Sequence, residues 1–179
     1  MSDAAGSRLW LMWLVFLCLS LGIIFFQLLP LETTPRRFTG PDLMVLFAFA
    51  WATRRPEYVP AFLIAGIMLL GDLLFQRPPG LMAALMVVAT EAVKRRSRTL
   101  RDQGFPVEWL TITGTLVLVM LGYRLILALL IVPQAPMGLT LIQLIMSVIS
   151  YPLVVLATQF VFGVRKVSPG ETNAMGHLR

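Results

Sequence analysis

"GIMLLGDLLFQRPPG", Gly66 to Gly80, holds one carboxylate, Asp72, in an otherwise apolar run that closes on an arginine, two prolines and a glycine. A soluble helix of this length shows a polar face along its whole course. Here Ala61–Phe75 offers Asp72 alone. The segment reads as a membrane-embedded helix with one costly acid near its end.

Composition extends that reading to the whole chain. Of 179 residues, 58% are hydrophobic and 13% charged, with a mean hydropathy of +0.81. Such a chain cannot cover a soluble domain with polar surface, so it is an integral membrane protein. Cys18, the one cysteine, lies in an apolar run and has no partner for an internal disulfide. The uncharged run from Leu9 to Leu31 is longer than a signal-peptide core, and no small-x-small cleavage site follows it. It is expected to be a retained transmembrane helix, anchored near one end by Trp10 and Trp13.

Six apolar segments are expected: Leu9–Leu29, Leu43–Ala52, Ala61–Phe75, Leu81–Val93, Val107–Val132 and Leu139–Val164. The second and fourth are short. Each reaches about 21 Å at helical rise, so a count of five stays open. The reading is one six-span domain over 1–164 and a disordered cytoplasmic tail over 165–179.

Positive charge orients the chain. With six crossings and an inner N-terminus, the inside holds eleven basic residues: Arg8, Arg54, Arg55, Lys94, Arg95, Arg96, Arg98, Arg101, Arg165, Lys166 and Arg179. The outside holds three: Arg36, Arg37 and Arg77. This bias puts both termini in the cytoplasm. It also reads the Lys94–Arg101 cluster as a topology-fixing cytoplasmic loop, not a nucleic-acid site.

Depth follows from topology. Asp72 falls about 6 Å below the outer boundary, and Arg124, inside segment five, about 12 Å below it. Gln143, Ser147, Ser150, Tyr151 and Thr158 share one face of segment six. The polar groups thus gather in the outer half. Two arrangements are open: Asp72 pairs with Arg124 or joins it in a cluster with Gln143, or Asp72 caps its helix end near water while Arg124 snorkels alone. The segment-six stripe is either interhelical packing or a binding face. Ala48, Ala52, Ala61 and Ala65 would let segments two and three approach closely. Pro152 frees the carbonyl one turn before it, which kinks the helix or offers a neighbour an acceptor.

Catalytic chemistry is not expected. The one histidine, His177, lies in the tail, the carboxylates are scattered singly, and no phosphate loop, dinucleotide fingerprint or zinc-helix motif occurs. No cofactor is implied. The inner half offers little polarity beyond Thr90, Glu91, Thr158 and Gln159, which argues against a conducting path.

The run "GPDLMVLFAFAWATRRPEYVPAFLIAGIMLLGDLLFQRPPG" into "LMAALMVVATEAVKRR" resembles the MreD family of bacterial rod shape-determining membrane proteins. The similarity lies in Pro41 opening the second segment, a short turn into the third, Asp72 followed eight residues later by Gly80, a basic stretch after the fourth segment, and Pro152 in the last. "QRPPG" departs from it, being richer in proline and more basic than the family's small turn. The resemblance implies a non-enzymatic inner-membrane scaffold beside the single-span protein MreC, linking cytoplasmic MreB to RodA and its penicillin-binding transpeptidase. It also implies a six-helix fold similar to the substrate-binding subunits of energy-coupling-factor vitamin transporters, with an outward cavity. The runner-up is such a solute-binding subunit; a membrane enzyme acting on lipid or peptidoglycan precursors is third.

Overall fold

A computed structural model of the chain describes residues 2–29, 39–161 and 163–164. The proposed tail and the loop arginines Arg36 and Arg37 lie outside these residues. Among them the fold is all-α: α1 Ser2–Leu28, α2 Leu43–Arg54, α3 Ala61–Leu74, α4 Leu81–Asp102, α5 Phe105–Leu129 and α6 Met137–Phe160, with a 3₁₀ turn at Pro56–Tyr58. Three helices, α1, α5 and α6, are long and apolar enough to cross a membrane, while α2 and α3 are shorter apolar helices.

The short second segment is the centre of the molecule. Ten of the twelve residues of α2 are buried, so it is apolar all round and enclosed by protein. It packs chiefly against α4 and α6, and α3 packs against α4. The expected close approach of segments two and three is not the main packing of α2. Ala48 and Ala52 are fully buried on α2, whose main neighbours are α4 and α6, and Met44 of α2 reaches α3 with its tip over Gly71.

The ends of the bundle can be told apart. At the lower end, Trp13 Nε1 donates to the Glu57 carbonyl at 2.9 Å, joining α1 to the 3₁₀ turn between α2 and α3. At the upper end lie the α3–α4 and α5–α6 turns. Each begins with a helix end closed by a left-handed residue, Gln76 (φ 54°) and Ile131 (φ 55°). In both, paired amides reach back to the last turn: Arg77 N–H to Asp72 O at 2.9 Å and Gln76 N–H to Leu73 O, then Val132 N–H to Leu127 O at 3.0 Å and Ile131 N–H to Ala128 O. This is the Schellman closure, which satisfies carbonyls that a helix end would leave bare.

One expected loop is helix. The basic stretch after the fourth segment continues α4 without a break to Asp102. Lysine and arginine are good helix formers, and no glycine or proline intervenes before Gly104. Lys94 Nζ also meets Glu91 Oε1 at 2.6 Å, one turn back.

Candidate functional site

The upper end carries a built polar site in two parts. The first answers why an aspartate sits in oil. Asp72 is 1% exposed. Its Oδ2 accepts three amide hydrogens from the start of α4: Gly80 N–H at 3.1 Å, Met82 N–H at 3.2 Å and Ala83 N–H at 3.3 Å. Met82 and Ala83 hold the second and third positions of α4, whose amides an N-cap side chain ordinarily satisfies. The residue at the cap itself is Gly80, held at φ +84°. That backbone favours glycine, which has no side chain to cap with. Asp72 therefore caps the next helix from eight residues back, and its charge lies against the positive end of the α4 dipole. The Asp72–Gly80 spacing is one structural unit.

The second part is a cavity of about 380 Å³. It exists because α2 is short. Ser147 is ten residues into α6, about 15 Å below its start. Its Oγ accepts from the Asp42 amide at 3.0 Å, so α2 begins well below the upper rim. Asp42 also caps its own helix, accepting the Val45 amide on Oδ1 at 3.3 Å. Asp42, Val45 and Ser147 form the floor; Leu116, Val119, Met120, Leu127 and Leu144 supply apolar wall. Gln76 and Arg77 close one side of the rim, and Arg124, Gln134 and Thr140 the other.

Arg124 anchors that second side. Its Nη1 donates to the Ala135 carbonyl at 3.1 Å and Thr140 Oγ1 at 2.9 Å, and its own carbonyl accepts from Gln134 Nε2 at 3.0 Å. The direct Asp72–Arg124 pair does not form. Asp72 is turned into the α4 amides and Arg124 into the α5–α6 turn. The alternative is corrected too, because Asp72 is buried and caps α4, not its own helix. Since α5 ends at Leu129, Arg124 lies about 8 Å from its end, shallower than its sequence position suggested. Of the expected cluster, Arg124, Gln143 and Ser147 share the cavity, while Asp72 and Gly80 build its neighbouring turn.

Pro152 leaves the Val148 carbonyl without its helical donor, and Trp109 Nε1 of α5 donates to it at 2.9 Å. The freed acceptor serves a neighbour, one of the two outcomes expected of this proline.

The lower end contains a cluster that sequence reasoning missed. Arg54 Nη1 donates to Glu108 Oε1 at 2.7 Å, and the Tyr151 hydroxyl donates to the same oxygen at 2.9 Å. Arg54 is 1% and Glu108 0% exposed. Arg54 lies in the last turn of α2 and Glu108 in the first turn of α5, so each charge opposes the dipole end it sits on. Arg54 is thus not a solvated loop cation. Removing it from the inner count leaves ten basic residues against three, a bias of the same sign.

Among the described residues the molecule is an all-helical membrane-type bundle with a polar-rimmed, apolar-walled cavity at one end and a buried ion pair at the other. Comparison of the chain with models of known protein families, with curated proteins and with solved structures finds no match.

Proposed function

We propose that this chain is a non-enzymatic scaffold of the MreD type in the bacterial inner membrane. On this reading it crosses six times with both termini cytoplasmic and the cavity facing outward. It binds an MreC-type single-span partner through its outer half, and so links MreB filaments to RodA and the elongation transpeptidase. The observation that carries the reading is the confinement of the cavity to one end. Below it, α2 is buried along its length and the Arg54–Glu108–Tyr151 cluster joins α2, α5 and α6. A bundle hollowed at one end and interlocked at the other suits one-sided binding better than passage. The order of Pro41, Asp72, Gly80 and Pro152, on which the resemblance rests, gives the partner its identity.

The test is co-purification. The tagged full chain is expected to bring down MreC from its own host, and a photo-crosslinker at Leu141, exposed on the upper part of α6, should join the two. Recovery of MreB or RodA complexes without MreC would contradict the reading. A second reading, a solute-binding transporter subunit, is favoured by the cavity volume, which lies in the range of small-molecule sites. It predicts a tightly held water-soluble organic molecule, detectable by mass spectrometry of the purified protein, and no MreC.

A further inference from the structure

The cavity rim carries two guanidinium groups, Arg77 and Arg124, and among the described residues neither lies within ion-pair distance of a carboxylate. Arg124 spends its described hydrogen bonds on two neutral oxygens, the Ala135 carbonyl and the Thr140 hydroxyl. Arg77 is held over the Phe75 ring at 5.2 Å, a contact that leaves its N–H edge available. The nearest acid, Asp72, lies within electrostatic reach of Arg77 but makes no ion pair with it, and its Oδ2 is shared among three α4 amides. The other, Asp42, is on the floor at the level of Ser147, about 10 Å along α6 below Thr140. Two arginines near the end of a membrane bundle with no directly paired carboxylate are costly, and an anion between them lowers that cost. Guanidinium forks match phosphate oxygens in shape and charge. Tyr123, in the same lining, adds a hydroxyl within electrostatic reach of Arg77. Inward from this rim the wall is apolar, through Leu127, Met120, Val119 and Leu116. Charge at the mouth above an apolar wall is the profile of an amphiphile, not of a free ion.

We propose that the cavity is a binding site for the phosphate of an anionic phospholipid, held between Arg77 and Arg124 with an acyl chain along the α5 wall. The site is independent of whether MreC is the partner. Native mass spectrometry of the full chain from detergent, with added phosphatidylglycerol, is expected to show one tightly retained lipid per chain. Diacylglycerol, which lacks the phosphate, should not compete, and millimolar inorganic phosphate should displace little. Arg77→Gln is expected to weaken retention about tenfold, and the Arg77→Gln/Arg124→Gln double variant further. Arg77→Gln is the cleaner variant, because Arg124 also secures the α5–α6 turn. Equal retention of diacylglycerol, or unchanged binding in Arg77→Gln, would overturn the proposal. Displacement by inorganic phosphate alone would overturn the lipid as its source.

Discussion

Asp72→Ala is expected to destabilise the bundle by about 3–5 kcal/mol, and Asp72→Asn by only about 1 kcal/mol. The alanine variant strips the shared acceptor from three amides at once, two of them in the first turn of α4. No other side chain caps that end, since Gly80 has none to offer. An apolar surrounding supplies no water to replace the lost acceptor, so each bare amide carries its full desolvation penalty. Asparagine keeps one carbonyl oxygen in the same place, and its loss of charge weakens the bonds without removing them. The contrast distinguishes a cap from an ion pair. Were Asp72 the counter-ion of Arg124, asparagine would be nearly as damaging as alanine. Thermal unfolding in one detergent, followed by loss of the folded peak on size exclusion, reads the difference.

The second large effect is at the lower end. Neutralising one partner of the buried pair, by Arg54→Met or Glu108→Leu, is expected to cost about 3–5 kcal/mol, because the other charge is left enclosed and unmatched. Replacing both together should restore stability to within about 1 kcal/mol of the parent, or raise it, since desolvation of an ion pair offsets most of its attraction. Tyr151→Phe removes one hydrogen bond and should cost about 1 kcal/mol. The same unfolding assay on all four variants closes the cycle. Additive losses in the double variant would show that the two side chains do not depend on each other.

Much of the architecture was legible in the apolar runs. Segments one, five and six are long helices as the hydrophobic pattern indicated, with ends shifted by up to four residues, except that α1 starts seven residues earlier, at Ser2, ahead of the apolar run. The freed carbonyl before Pro152 was legible because it follows from covalent chemistry alone. Three things were hidden, each for a physical reason. The partner of Asp72 is backbone, and backbone amides leave no mark on side-chain patterns; only the following Gly80, a cap without a side chain, hinted at it. Arg54 and Glu108 sit at the borders of apolar segments, where an isolated charge usually meets water. Their membership in the last turn of one helix and the first turn of another was the available signal. The basic stretch after segment four carries the same charges whether it is loop or helix, so the charge count was blind to its conformation.

The central claim is that the cavity end, with Asp72 and Arg124 beside it, faces outward and the buried ion pair faces the cytoplasm. Cysteine labelling in intact cells tests it most directly. Cys18 is first replaced by alanine, and single cysteines are then placed at Ala135, exposed in the α5–α6 turn, and at Arg96, exposed on the basic extension of α4. A membrane-impermeant maleimide added outside is expected to label Ala135→Cys and to reach Arg96→Cys only after the membrane is opened. Labelling of Arg96→Cys in sealed cells, with Ala135→Cys protected, would contradict the account.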